Sequence, residues 1–144
     1  MKLFATLVFA AAATMLGCAG FEKVPEPEVD LQQKATAQRI ASRIYESCVS
    51  GNYQALGEDE AIPEMRDALS PAKLPATCGA IKKEFGDYQS LDYAETWKPK
   101  SGSLKVFRFR GHFSKGGDAP EIRVIMDGGK LSGFWLKPWS DVLH

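Results

Sequence analysis

The chain has 144 residues, in which 18 basic residues balance 18 acidic ones and 44% of the residues are hydrophobic. This neutral balance argues against nucleic acid or an anionic membrane surface as the main partner, because both attract proteins with a clear excess of lysine and arginine. The length suits one domain with a single hydrophobic core.

The N-terminus has the features of a secretion signal. Lys2 precedes a predominantly apolar run from Leu3 to Leu16. This run is too short for a transmembrane helix, which needs about 20 apolar residues. Its length instead matches the hydrophobic part of a signal peptide. Residues 11–13 are alanines that could form an ordinary secretory cleavage site, which is one alternative.

The segment Met15-Leu16-Gly17-Cys18 resembles the lipobox of bacterial lipoproteins. The resemblance implies that residues 1–17 are removed as a signal peptide and that Cys18 receives a diacylglycerol, which anchors the chain in a lipid bilayer. Ala19 follows the cysteine, and this resembles the Gram-negative pattern for delivery to the outer membrane. We therefore expect an outer-membrane lipoprotein that faces the periplasm. Removal of residues 1–17 leaves 17 basic and 18 acidic residues, a net charge of −1.

Two further cysteines remain after lipidation of the first. Cys48 and Cys78 form an even pair, which in an oxidising compartment predicts a disulfide. The alternative is two reduced, buried cysteines that act as small hydrophobic residues. The chain has no CxxC motif and no His/Cys cluster with metal-ligand spacing, so we predict no metal site and no cofactor.

The sequence after the anchor changes at Asp30 from a linker pattern to a helical pattern. Residues 18–30 contain Pro25 and Pro27 between acids, which predicts an extended linker that holds the domain clear of the lipid headgroups. A disordered tail is the alternative. Asp30 is a predicted N-cap for a helix of about 20 residues, and Gly51 is its predicted C-cap. The domain is expected to occupy residues 31–144.

The remaining helical signals are shorter. The segment from Tyr53 to Ser70 predicts short helices around Pro63. A second helix is predicted to begin at Ser70-Pro71, with proline in its first turn, and to run to Phe85 before a glycine.

Beyond residue 86 the apolar residues alternate with polar ones, which indicates strands. Strands are predicted over residues 87–98, 104–113, 121–127 and 131–139, and Asp127-Gly128-Gly129-Lys130 predicts a tight hairpin. The alternation places Leu91, Tyr93 and Trp97 on one face of their strand. In the next strand it places the aromatic residues Phe107, Phe109 and Phe113 on one face. The other face of that strand carries Arg108, Arg110 and His112. Glu121 and Arg123, on the strand that follows, are predicted to lie beside these basic residues. The fold class is therefore α+β, with N-terminal helices packed on one face of an antiparallel sheet of about four strands.

Four segments occur in an order that resembles small bacterial domains of unknown function in the nuclear-transport-factor-2-like superfamily. They are GNY (51–53), MRDALSPAKL (65–74), FGDY (85–88) and MDGGKLSGFWLKPW (126–139). The likeness covers roughly residues 31–140. It implies a cone of helices over a curved sheet and an apolar cavity, which this superfamily uses for catalysis, ligand binding or dimerisation.

Catalysis in such a cavity needs a buried base and a hydrogen-bond donor. The catalytic pattern of the superfamily is absent here, so we predict no catalytic residue. The candidate ligand-binding residues are Trp97, Arg108, Arg110, His112 and Trp135, although cross-strand ion pairs on a solvated face would explain the charged ones equally well.

We therefore expect a non-enzymatic binding or scaffolding module that contacts a small apolar ligand or an envelope protein. One alternative is a small cavity-type enzyme, such as an isomerase, cyclase or hydratase acting on an apolar molecule, with His112 or Asp92 as its base. Another is a homodimeric structural lipoprotein of the envelope.

Overall fold

The structure is a computed structural model and describes residues 7–9 and 20–143. Cys18 and the rest of the lipobox lie outside the described residues. Within the described residues, no helix is both long enough and apolar enough to cross a bilayer.

Three helices follow the N-terminal segment: α1 (Leu31–Ser50), α2 (Pro63–Ala68) and α3 (Leu74–Phe85). The predicted caps of α1 are confirmed, since the side chain of Asp30 accepts a 2.9 Å hydrogen bond from the backbone N–H of Gln33, and Gly51 adopts a left-handed φ of 75°. Helix α3 begins later than predicted. The carbonyl of Ser70 accepts bonds from the backbone N–H groups of Lys73 and Leu74, so a turn precedes the helix.

The strands are β1 (Leu7–Phe9), β2 (Phe21–Lys23), β3 (Tyr88–Pro99), β4 (Lys105–Phe113), β5 (Glu121–Asp127) and β6 (Lys130–Lys137). They form one antiparallel sheet in the order β1-β6-β5-β4-β3-β2. The α+β class is confirmed, and the predicted strands correspond to β3–β6. The expected count of about four is too low, because residues 20–143 alone contribute five strands.

The segment predicted as a linker, residues 18–30, packs on the domain over its described part. Strand β2 pairs with the end of β3, and the next residue, Val24, donates a 2.8 Å backbone hydrogen bond to Thr96. Val24 and Val29 are buried in the core, on either side of a short 3-10 helix. The two valines supply the apolar surface that holds an otherwise Pro- and Glu-rich segment in place.

The core lies between α1 and the sheet, and aromatic side chains fill its centre. Tyr45 of α1 is 1% exposed, and its ring centroid lies 5.4 Å from that of Tyr88, 5.8 Å from that of Phe113 and 5.5 Å from that of Phe134. This burial raises the pKa of the Tyr45 hydroxyl. The middle of the helix-over-sheet cup is thus occupied by side chains.

A β-bulge at Ala94 changes which face the end of β3 presents. Tyr93 lies opposite Phe109, but Glu95 lies opposite Arg108, so one residue of β3 is left without a register partner. The prediction that Trp97 shares a face with Leu91 and Tyr93 is therefore wrong. The extra residue reverses the alternation, which places Trp97 on the face away from the helices.

Candidate functional site

The outer face of the sheet, defined as the face away from the helices, carries most of the predicted site residues. Strand register arranges them in neighbouring rows that run across β3, β4, β5 and β6. One row contains Glu95, Arg108, Arg123 and Trp135. An apolar row beside it contains Trp97, Val106, Ile125 and Gly133. A charged row on the other side contains Asp92, Arg110, Glu121 and Lys137.

A buried ion cluster, formed by Glu95, Arg108, Glu121 and Arg123, lies at the centre of the outer face. The side chains of Arg108 and Glu121 have no solvent exposure, and Nη2 of Arg108 lies 2.8 Å from Oε1 of Glu121. Nη1 of Arg108 donates to the carboxylate of Glu95. Nε of Arg123 lies 2.5 Å from Oε2 of Glu121. Two guanidinium groups therefore surround one buried carboxylate.

The hydrogen bonds in this cluster keep the carboxylate of Glu121 charged. Burial by itself would raise its pKa, but the hydrogen bonds from Arg108 and Arg123 outweigh that effect, and the pKa lies below its ordinary value. Such an arrangement is stable only while every charge keeps its partner, because an unpaired charge in a buried site costs several kcal/mol. The cluster is thus a fixed ionic unit on the sheet.

The C-terminal strap, residues 138–141, covers the ion cluster. The ring of Trp139 stacks on two guanidinium groups, with its centroid 4.1 Å from Cζ of Arg108 and 3.8 Å from Cζ of Arg110. The carbonyl of Ser140 accepts a hydrogen bond from Nη2 of Arg108. The indole N–H of Trp139 donates a 3.0 Å bond to Asp141. Trp139 thus closes over the outer face of the sheet.

Asp92 and His112 are paired with each other on the outer face. Nε2 of the imidazole lies 2.8 Å from Oδ2 of the carboxylate, and the two side chains are 42% and 74% exposed for His112 and Asp92 respectively. Neither side chain points into the cup, because both occupy the strand face opposite Phe109 and Phe113. These two residues were the predicted alternatives for a catalytic base.

The two remaining candidate residues, Trp97 on β3 and Trp135 on β6, lie on opposite sides of the outer face, three strands apart. The ring of Trp135 lies across Gly133, since a Cβ atom built on that glycine would come within 2.3 Å of the indole. Trp97 lies next to Val106 on the neighbouring strand, and Val106 is 1% exposed. The structure therefore places one of these rings in the apolar row and the other beside it, apart from Asp92 and His112.

Two open grooves lie elsewhere on the described part of the domain, and the second reaches the outer face at Glu95. One, of about 170 Å³, is bounded by α1 and the segments that follow it, and its lining includes Arg43, Glu46 and Asn52. The other, of about 280 Å³, lies at the bulge, and its lining includes Lys23, Tyr93 and Glu95. Neither is lined by a candidate base or by a predicted ligand-binding residue.

Metal binding has no support in the part of the chain that the structure describes, where no group of three or more His, Cys, Asp or Glu side chains could hold an ion.

The two cysteines predicted to pair do so. Cys48 of α1 and Cys78 of α3 are joined by a disulfide, with Cα atoms 5.0 Å apart.

No protein-family model, no curated protein and no solved structure matches the chain.

Proposed function

We propose that the protein is a lipid-anchored binding or scaffolding module of the cell envelope and has no catalytic activity of its own. An acylated Cys18 would hold it on the outer membrane, facing the periplasm. We also propose that its helix-over-sheet domain is of the nuclear-transport-factor-2-like type.

The observation that carries the proposal is the location of the acid-base residues. A general base in a cavity-type enzyme needs burial beside its substrate. Asp92 and His112 are exposed on the outer face, whereas Tyr45 and its aromatic neighbours occupy the middle of the cup. This arrangement favours a binding module over an enzyme of the cavity type.

The outer face is the surface that we propose for the partner. Arg110 is exposed and Cζ of its guanidinium lies 3.8 Å from the ring centroid of Trp139, while Trp135 is partly exposed on the same face. Arginine and tryptophan are enriched among the residues that dominate protein-protein binding energy. The buried Arg108 also stacks on Trp139, which holds the ring against Arg110, so that less side-chain freedom would be lost on binding.

The anchor is supported by the lipobox residues, and the compartment is supported by the disulfide. Disulfides form and persist in the periplasm and other oxidising spaces, and they are rare in the cytosol. Two acyl chains on one residue hold a protein stably on a bilayer, since each buried methylene contributes about 0.8 kcal/mol.

The test is crosslinking in intact cells of the native source, followed by capture of the full-length protein. An Arg110→Glu variant reverses an exposed charge on the proposed surface. A Lys83→Glu variant makes the same charge change on the exposed side of α3 and is the matched control. We expect a reproducible envelope partner that is captured by the wild type and by Lys83→Glu but lost with Arg110→Glu. Equal capture by both variants would contradict a role for the outer face.

The anchor has a separate test. Mass spectrometry of the purified native protein should show an N-terminal peptide that begins at Cys18 and carries added acyl mass. A Cys18→Ser variant should no longer partition into detergent, and unchanged partitioning would refute the anchor.

A further inference from the structure

The chain enters the sheet close to the proposed anchor. Strand β2 begins at Phe21, only three residues after Cys18, and Phe21 lies opposite Pro99 at the end of β3. Because β2 and β3 are antiparallel, the chain that precedes Phe21 leads toward the hairpin between β3 and β4. An acylated Cys18 would therefore hold the end of the domain that carries this hairpin near the lipid.

The connection is too short to act as a spacer. A fully extended chain advances at most about 3.6 Å per residue, so three residues reach no more than about 11 Å. The residues that were expected to form a longer linker are folded instead: Lys23 lies in β2, and Val24 and Val29 are buried. If Cys18 carries acyl chains, Phe21 must lie within this short distance of the lipid.

Two turns form the surface at this end of the sheet, which we call the anchor-proximal end. One is the hairpin of residues 100–104 between β3 and β4, and the other is the Asp127–Lys130 turn between β5 and β6. The hydroxyl of Ser103 donates to the carboxylate of Asp127, so the turns are in contact. Four lysines lie within these turns or next to them in the sequence: Lys98, Lys100, Lys105 and Lys130.

The chemistry of this end suits lipid headgroups. The hairpin residues are polar and exposed from Lys100 to Ser103, and the hairpin contains no acid. Lysine side chains near a bilayer surface interact favourably with anionic headgroups. Two of these lysines already have acidic partners, since Nζ of Lys98 lies 3.6 Å from the carboxylate of Glu22 and Nζ of Lys105 lies 3.5 Å from that of Asp30. Lys100 and Lys130 are therefore the lysines of this end that we expect to contact the headgroups.

We infer that the anchor-proximal end rests on the headgroups of the membrane that holds the protein, because the short tether keeps it there. This inference depends on the proposed acylation of Cys18. The loop of residues 114–120, between β4 and β5, then points away from the membrane, since β4 separates it from the hairpin by about 26 Å at 3.3 Å per residue. The strands run away from the bilayer, and the outer face stands open to a partner in the aqueous space.

The experiment uses the full acylated protein in vesicles of phosphatidylethanolamine and phosphatidylglycerol that contain a headgroup-attached nitroxide quencher. A fluorophore is placed on Ser101→Cys at the hairpin or, as the matched control, on Asp118→Cys in the opposite loop. The native disulfide stays oxidised, so only the introduced thiol reacts. We expect several-fold stronger quenching at residue 101 than at residue 118.

Equal quenching at the two positions on vesicle-bound protein would overturn the orientation. A protein that does not stay on the vesicles would instead overturn the proposed anchor, so the two failures are distinguishable. A third protein carries ten Gly/Ser residues inserted before Gly20, which adds a flexible reach of about 18 Å. We expect the insertion to reduce quenching at residue 101, and unchanged quenching would overturn the tether as the cause of the orientation.

Discussion

Cζ of Arg108 lies 4.1 Å from the ring centroid of Trp139, so a tryptophan from the C-terminal strap closes over a guanidinium that has no exposure to solvent. A charge buried this completely on the outer face of a sheet is unusual, because arginine is almost never fully buried unless it is paired. Here Glu95 and Glu121 supply the paired charges. The outer face thus carries a buried ion cluster that is separate from the apolar core beneath the helices.

Replacement of Arg108 by methionine should destabilise the fold strongly. The variant leaves the buried carboxylate of Glu121 with one guanidinium instead of two, and removal of one partner from a buried ion pair costs about 3–5 kcal/mol. Urea unfolding at pH 7 measures the loss. Arg110→Met is the matched control, and it should cost about 1 kcal/mol or less, because that side chain is exposed and contributes mainly its contact with Trp139. Equal losses in the two variants would contradict the special role of burial.

Replacement of Tyr45 by phenylalanine should leave stability unchanged or raise it by about 1 kcal/mol. Among the described residues the buried Tyr45 hydroxyl has no hydrogen-bond partner, and a buried polar group without a partner is destabilising. The ring contacts with Tyr88, Phe113 and Phe134 would remain. Thermal unfolding measures the change. A loss above about 1 kcal/mol would mean that the hydroxyl is bonded in solution, for example to a water molecule.

Stability should fall in acid through Glu60. Its carboxylate accepts hydrogen bonds from Arg43 at 2.8 Å and from the backbone N–H of Gly57 at 2.9 Å. The bond from Arg43 contributes most, and together these contacts lower its pKa from 4.5 to about 2. A lowered pKa stabilises the folded state fully above the unfolded value near 4.5, and that stabilisation is lost as the pH falls toward 2.

The matched variant is Glu60→Gln, in which this titration is absent. We expect it to be less stable than the wild type at pH 7, by up to about 3 kcal/mol at 1.36 kcal/mol per pKa unit. The difference should shrink steadily between about pH 5 and pH 2. Urea unfolding of both proteins across this range measures it, and a constant difference would exclude Glu60 as the titrating group.

Loss of the disulfide should cost about 2–4 kcal/mol. Cys48 and Cys78 are separated by 30 residues, and a crosslink over a loop of this size restricts the unfolded chain substantially. The double variant Cys48→Ser/Cys78→Ser removes the crosslink without leaving a free thiol. Its unfolding in urea should match that of the reduced wild type, and a variant as stable as the oxidised protein would contradict a structural role for the bridge.

Local signals in the sequence sufficed for much of the fold. Asp30 and Gly51 mark the ends of α1 because a carboxylate cap and a left-handed glycine act within one turn of the backbone. The hairpin at Gly128-Gly129 was predictable for the same reason, since both residues adopt positive φ. Alternation along β4 also predicted correctly that Arg108 lies on the face away from the core.

The features that escaped prediction all depend on distant partners. Strand β2 has only three residues, and it exists because β3 offers it a free edge. The bulge at Ala94 leaves no mark in composition, yet it decides on which face Trp97 lies. The burial of Arg108 depends on Trp139, which is 31 positions further along the chain. Periodicity describes neighbours within one element, so it could not reveal contacts of this kind.

The pairing of β1 with β6 has a consequence for the processed protein. Leu7–Phe9 belong to the segment that we propose is cleaved, and its loss would leave the backbone of residues 134–136 without a neighbouring strand. Proteins crowded on a membrane could join through such an edge into fibres. Lys130 and Lys137 stand at its two ends, and charges of this kind oppose edge-to-edge association. Ile62 further protects the first end by donating a hydrogen bond to the carbonyl of Leu131. Removal of the signal peptide would thus expose an unpaired edge strand whose two ends already carry features that oppose aggregation.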